Sequence, residues 1–90
     1  MTVNVEFSSV FSRYTNNKTD IKTEGKTIGE CLHDLARQYP EFGNLILDKN
    51  GDLSASFDIF INGESIYPNI MSYPVNNGDK FNIVMIIHGG

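Results

Sequence analysis

The 90-residue sequence is poor in cysteine, in clustered basic residues and in long apolar runs. Cys31 is its only cysteine, which excludes an internal disulfide or a cysteine pair for a metal or redox site and fits a reducing cytosol. Seven Lys and Arg residues are scattered singly among eleven Asp and Glu residues. The resulting net charge of -4 argues against a nucleic-acid surface and favours a basic protein partner.

Segments that would direct the chain into a membrane are also missing from the sequence. No stretch approaches the ~20 consecutive apolar residues that a membrane-spanning helix needs. Residues 1–7 alternate between apolar and polar side chains, instead of forming the basic and apolar regions of a secretory signal. We therefore expect a cytoplasmic protein that does not bind a membrane.

Patterns that would indicate catalysis or metal binding are absent in the same way. The sequence contains no supported Ser-His-Asp arrangement, no phosphate-binding loop between a strand and a helix, and no His or Cys cluster at ligand spacing. Asp48, Asn50 and Asp52 resemble the start of a calcium loop, but the required glycine and distal glutamate are not at the right offsets. We expect a chain that is not itself an enzyme and that binds no cofactor or metal.

Alternating apolar and polar residues predict several strands. The alternation is clear at 3–7 and weaker at 19–23, which predicts a hairpin joined by a polar turn. It returns at 57–61, where Asn62-Gly63 predicts a turn into a short return strand. The continuous apolar run at 81–87 is rich in β-branched residues and predicts a strand in the middle of a sheet.

One helix stands out between the second and third predicted strands. Thr27 and Glu30 have the spacing of a capping box, and apolar residues at helical spacing then continue to Tyr39. Pro40 is expected to end the helix, and the segment after it up to residue 56 receives no firm assignment. The polar residues expected to face solvent on this helix are His33, Asp34, Arg37 and Gln38.

The order of these elements predicts an α+β fold in which one main helix packs on one face of a mixed sheet of four to five strands. Residues 1–87 are expected to form a single domain. Residues 88–90 are expected to form a flexible C-terminal Gly-Gly tail, and a frayed end without function is the alternative interpretation.

The two terminal glycines permit a specific kind of chemistry. Because Gly89 and Gly90 lack Cβ atoms, their backbone can enter a narrow channel and reach a buried active site of another protein. A free α-carboxylate, with a pKa of roughly 3.3–3.7, is an anion at neutral pH and a poor electrophile. A partner must therefore activate it, and adenylation by ATP is the usual chemical route.

The ordered set of motifs resembles a known family over nearly the whole chain. The strand order, the apolar helix, Ile61-Asn-Gly63, the Asn77-Gly-Asp79 turn and Gly89-Gly90 are similar to the molybdopterin synthase small subunits and thiamin sulfur carriers. That family has the β-grasp, ubiquitin-like fold. The chain length is similar to the branch that includes carriers for cysteine synthesis and archaeal ubiquitin-like modifiers.

The resemblance implies a role for each tail residue. A ubiquitin-activating-like enzyme would use ATP to adenylate the Gly90 carboxylate, and sulfur would then replace AMP to give a thiocarboxylate that donates sulfur. Gly89 and His88 would provide access for the tail, since a mobile His88 is poorly placed as a general base. Cys31 lies on the apolar stripe of the helix, where packing is the expected role.

The resemblance and the strand pattern also predict a partner-binding surface. If Phe57 and Ile59 point into the core, Phe60 points to the opposite sheet face, where Val84 and Ile86 are expected to join it. Such an exposed apolar patch usually binds protein, here the activating enzyme or a larger synthase subunit. The alternative is cover by a loop carrying Tyr67, Ile70 and Tyr73.

Two further functions remain open at this point. In the first, the chain is a covalent modifier whose Gly90 forms an isopeptide bond with a lysine of another protein. In the second, it is the small subunit of a synthase and inserts its tail into the active site of the larger subunit. The sequence does not identify the pathway that receives the sulfur.

Overall fold

Five strands form one mixed sheet in the computed structural model, which describes residues 1–87. The sheet order is β2-β1-β5-β3-β4, with β1 and β5 parallel and the other neighbours antiparallel. The strands are β1 (Thr2–Phe7), β2 (Asp20–Glu24), β3 (Phe57–Ile61), β4 (Glu64–Ser65) and β5 (Lys80–Met85). The predicted α+β class, with a mixed sheet and one main helix on one of its faces, is confirmed.

The central position predicted for the last strand is confirmed, because β5 pairs with β1 on one side and β3 on the other. Phe81 and Ile83 are buried in the core, which accounts for two of the six apolar residues of the run. The strand ends at Met85, two residues before the apolar run does. The reason is that Met85 faces Phe57, the first residue of β3, so no paired strand extends beyond that point.

The predicted polar turn before β2 is present at residues 15–17, and a further element that was not predicted lies between it and β1. A short 3-10 helix, Ser9–Tyr14, begins after Ser8, whose hydroxyl oxygen accepts from the Val10 amide at 3.3 Å. Phe11 is buried in this helix and its ring lies 5.9 Å from the Phe42 ring, centroid to centroid. Burial of this aromatic side chain explains why the segment curls back over the core instead of forming a simple hairpin loop.

The predicted helix is confirmed as α1 (Ile28–Gln38). The Thr27 hydroxyl accepts from the Glu30 amide at 3.1 Å, as expected for an N-cap. The Glu30 carboxylate accepts from the Lys26 amide at 2.9 Å, one residue before the partner that a capping box would use. The side chains that α1 buries against the sheet are those of Ile28, Cys31, Leu32 and Leu35.

A second helix, α2 (Pro40–Ile46), occupies part of the segment that received no assignment. Pro40 ends α1, as predicted, and also serves as an early residue of α2, where a missing amide hydrogen has no cost. The two helices approach closely, since a Cβ atom on Gly43 would lie 2.5 Å from the Ala36 Cβ atom. Phe42 of α2 is fully buried and packs against the rings of Phe7, Phe11 and Tyr14.

Candidate functional site

The end of β5 determines where the chain leaves the sheet. Beyond Met85, the Ile86 amide donates to the Ser56 carbonyl oxygen at 2.8 Å, which holds one further residue beside the start of β3. Ile87 is 88% exposed, so its side chain no longer contributes to the core. The predicted tail residues His88, Gly89 and Gly90 lie outside the described residues.

The outer face of the sheet, opposite α1, carries two of the predicted partner-binding residues. Strands β3 and β5 are in register with Phe60 opposite Asn82 and Asp58 opposite Val84, so all four side chains share this face. Phe60 and Val84 are diagonal neighbours across the strand pair. Val84 is 39% exposed and Phe60 is partly buried, so an apolar area is accessible here.

The apolar area is confined to the β3–β5 side of the outer face. Across β5, the parallel pairing places Asn4 beside Lys80 and Glu6 beside Asn82 on the same face. The Lys80 ammonium lies 3.6 Å from the Glu6 carboxylate, and both groups are solvent-accessible. The outer face is therefore polar toward β1 and apolar near Val84, close to the exit of the chain.

The third predicted partner-binding residue, Ile86, lies beyond the paired part of β5 and lines an open groove of about 810 Å³. The groove runs between the segment 52–55, the start of β3 and the segment 65–72. Its apolar walls include the side chains of Leu53, Ala55, Phe57, Tyr67, Ile70 and Met71. Tyr67 and Ile70 thus border this groove, and Val84 stays exposed, so the loop does not cover the outer face as the alternative interpretation required.

The loop wall of the groove is fixed to the N-terminus of α1. The Gly29 amide donates to the Met71 carbonyl oxygen at 2.9 Å, and the Ile28 amide donates to that of Tyr73 at 2.9 Å. A Cβ atom on Gly29 would lie 2.7 Å from the Met71 carbonyl oxygen, so only glycine allows this approach. These bonds satisfy helix amides that would otherwise lack partners and make the groove a preformed feature.

The titratable groups of the described residues offer no catalytic cluster. Cys31 is fully buried, and this burial raises the pKa of its thiol, which keeps it protonated and unreactive. Within residues 1–87, no group of three or more His, Cys, Asp or Glu side chains is placed to hold a metal ion. The accessible features near the end of β5 in residues 1–87 are the apolar area of the outer face and the groove.

The groove itself was not predicted from the sequence. Its walls come from three separate segments of the chain, and the sequence predicts only a loop for residues 67–73. A pattern of apolar residues at 66, 67, 70 and 71 was the available signal, but it fits neither strand nor helix periodicity. The position of this loop depends on its bonds to α1, which only the folded chain reveals.

Comparison with protein families is decisive for the identity of the chain. A model described as the ThiS family matches residues 5–90. The chain belongs to the ThiS family. This is a family of small ubiquitin-like sulfur carriers, and its members are carriers or modifiers rather than catalysts, which agrees with the non-enzyme prediction. No curated protein matches the sequence.

Solved structures show that this ThiS-family chain has the predicted β-grasp fold. A chain of the BexX/CysO complex of Amycolatopsis orientalis is 18% identical with a TM-score of 0.83, covering 98% of this chain and 99% of that one. Small archaeal modifier protein 1 of Methanosarcina acetivorans is 21% identical with a TM-score of 0.83, at coverages of 99% and 96%. Urm1 of Sulfolobus solfataricus is 23% identical with a TM-score of 0.62, at coverages of 92% and 99%.

The α-helices of the described residues are short. The longer of the two α-helices, α1, has 11 residues and the shorter, α2, has seven. Among residues 1–87, no helix has the length and apolar character to cross a membrane.

Proposed function

We propose that this chain carries sulfur on its C-terminal residue, Gly90, in the reducing cytoplasm. A partner enzyme activates the Gly90 carboxylate with ATP, forming an acyl adenylate and releasing pyrophosphate. Attack by hydrosulfide from the sulfur source then forms the C–S bond and expels AMP, which leaves a thiocarboxylate. The thiocarboxylate transfers its sulfur to an acceptor, in molybdopterin-type or related biosynthesis. As its C–S bond breaks, water supplies the oxygen that restores the carboxylate for another cycle.

The position of β5 is the observation that best supports this proposal. The strand is held by β1 and β3 on its two sides and ends at Met85, so the residues after it start from a fixed point. Ile87 is 88% exposed, so the described part of the chain ends at the protein surface. Two glycines after such an exit give a slender carboxyl terminus that an enzyme can enclose. ATP and the sulfur source belong to the partner, so the carrier needs no cofactor of its own.

Intact-mass measurement tests the proposal directly. The chain is incubated with ATP, a sulfur source and the ubiquitin-activating-like enzyme encoded in the same genome. The expected result is the mass gain of one sulfur replacing one oxygen, localised to Gly90 by fragmentation. Removal of Gly90 should abolish the gain without changing thermal unfolding. An unchanged mass with an enzyme that charges another carrier would refute the sulfur-carrier role.

A second part of the proposal concerns the apolar area of Phe60 and Val84, which we assign to a larger synthase subunit or another sulfur-accepting enzyme. Val84→Asp and Phe60→Asp place a charge on this area and should weaken co-purification with that partner. Val10→Asp is the matched control, because Val10 is 70% exposed and lies on the 3-10 helix, outside strands β3 and β5. Equal co-purification of the Val84 and Val10 variants would contradict this assignment.

A covalent modifier is the alternative function. It is favoured by the likeness to solved structures whose names include small archaeal modifier protein 1. In that case the activated Gly90 would form an isopeptide bond with a lysine of a target protein. Immunoblots of cell extract would then show higher-mass conjugates that disappear when Gly90 is removed, whereas a carrier that acts only in sulfur transfer forms none.

A further inference from the structure

The groove beside the chain exit has properties that the tail chemistry does not require. It has a volume of about 810 Å³ and its walls are mainly apolar, with Phe57, Ile70 and Ile86 among them. This volume is in the range of sites that enclose a substantial part of a ligand. The groove is large enough to hold a bulky apolar side chain together with the residues next to it.

The charged residues that line the groove are all acidic. Asp52 and Asp58 line it, and none of the other lining residues is Lys, Arg or His. The Asp58 carboxylate is fixed by the Ile59 amide at 2.7 Å and the Ser65 hydroxyl at 2.8 Å, so its position is defined. Among residues 1–87, no salt bridge includes either aspartate. A positive charge from outside the chain would complete this arrangement.

The groove is also close to the reacting end of the chain. Ile86 forms part of its wall, and Gly90 follows four residues later in the sequence. Four extended residues span at most about 14 Å, which limits how far the Gly90 carboxylate can lie from the Ile86 backbone. A protein seated in the groove therefore has this carboxylate within a short distance of its own surface.

We propose that the groove is the docking site for a segment of the activating enzyme in which an apolar side chain stands beside a Lys or Arg. This inference rests on the proposed function of the chain as a carrier. The apolar side chain fills the groove between Ala55 and Ile86, and the basic residue pairs with Asp52 or Asp58. A second copy of this chain is a poorer occupant, because two chains of net charge -4 repel each other.

The test uses the carrier dependence of ATP–pyrophosphate exchange by the activating enzyme from the same genome. Asp52→Lys reverses the charge of an exposed rim residue, and Ala55→Arg places a long cationic side chain at an exposed position of the wall. Asp20→Lys is the matched control, since Asp20 is exposed on β2 at the opposite edge of the sheet. Thermal unfolding of each variant confirms that the fold is retained.

We expect Asp52→Lys and Ala55→Arg to raise KM for the carrier by about tenfold to a hundredfold, because apolar burial and charge pairing are lost together. Their kcat should stay within about twofold, as expected when ground-state and transition-state binding weaken equally. Asp20→Lys should change neither constant. Equal KM values for the two groove variants and the control would overturn the docking proposal while leaving the carrier role intact.

Two other outcomes test the proposed carrier function itself and self-association of the chain. If the wild-type chain supports no exchange with an enzyme that is active on another carrier, the proposed function fails and the docking inference fails with it. Sedimentation analysis covers self-association. A wild-type dimer that Ala55→Arg dissociates would assign the groove to a second copy and overturn the inference.

Discussion

Asp34 connects α1 to the free edge of the sheet, and its replacement gives a quantitative test of the fold. The Asp34 carboxylate accepts from the Glu24 backbone amide at 3.0 Å, from Arg37 Nε at 3.1 Å and from Gln38 Nε2 at 3.1 Å. Gln38 also donates to the Lys22 carbonyl oxygen at 2.9 Å. Two backbone groups on the outer edge of β2 are thus occupied by side chains of α1.

Asp34→Asn removes the charge but keeps the shape of the side chain. Hydrogen bonds to a charged group contribute about 1.5–3 kcal/mol each when they are well protected. The Arg37 side chain is 74% exposed, so its ion pair contributes less, about 0.2–1 kcal/mol. The substituted amide can still accept from the Glu24 backbone. We therefore expect the free energy of unfolding at pH 7 to fall by about 1–2 kcal/mol.

The pH dependence of this loss follows from the pKa of Asp34. Burial raises that pKa, but hydrogen bonds from Arg37, the Glu24 amide and Gln38 outweigh the burial and hold it below its ordinary value of 3.8. A lowered pKa means that the stabilisation is fully present above the unfolded-state pKa and is lost as pH falls through the folded-state value. The difference between wild type and Asp34→Asn should therefore be constant from pH 7 to about 5 and shrink below about pH 4.

Urea unfolding, followed by circular dichroism at pH 7, 5, 4 and 3, measures this difference. Asp20→Asn is the control, because the Asp20 side chain is exposed and forms no hydrogen bond with any described residue. It should change the free energy of unfolding by less than about 0.5 kcal/mol at each pH. An Asp34→Asn effect of the same size at pH 3 as at pH 7 would refute the charge-based reasoning.

Three further predictions concern the core. Phe42→Ala should reduce the free energy of unfolding by about 3–5 kcal/mol in urea titrations, because it empties the centre of the aromatic cluster. Gly43→Val should cost about 1–3 kcal/mol in the same assay, since its side chain would collide with Ala36 of α1. Cys31 should react with iodoacetamide at least about a hundredfold more slowly in the native protein than in urea, by mass spectrometry.

Sequence periodicity was enough to predict the elements whose burial is one-sided. Val3 and Val5 alternate with exposed or half-buried residues because one face of β1 packs on the helix. The Asn62-Gly63 turn was predictable because both residues have a positive φ, which these residue types tolerate. In these places the conformation that the local sequence prefers is also the one that suits the folded protein. The local pattern was therefore enough to predict the structure.

Elements that depend on distant contacts were missed for a physical reason. The seven-residue helix α2 is too short for a periodic pattern to stand out, and Pro40 indicated the end of a helix more clearly than the start of one. Asp34 was expected to face solvent, yet its side chain is only 13% exposed because it turns toward the edge of β2. The spacing of residues within a single helix or strand predicts neither the helix α2 nor the position of the Asp34 side chain.

The surface near the end of β5 also has one part that the sequence predicts and one part that it does not. The outward direction of Val84 follows from strand alternation alone, and the structure places it there. The groove beside Ile86 requires the loop that ends at Met71, and that loop is positioned by carbonyl groups bound to the first amides of α1. The same bonds that cap the helix therefore shape the surface next to the chain exit.

The positions of the groove and the apolar outer face limit how a second protein can bind near the end of β5. The end of β5 cannot move freely, because displacing Met85 or Ile86 would break the pairing with Phe57 and the bond to Ser56. The groove and the apolar outer face both lie next to this end of β5, and Asp58 belongs to both surfaces. A protein that binds either surface would therefore contact a part of the chain whose backbone is held in the sheet. Under the proposed carrier function, binding of the folded body would also limit where the Gly90 carboxylate can lie, because four extended residues after Ile86 span at most about 14 Å.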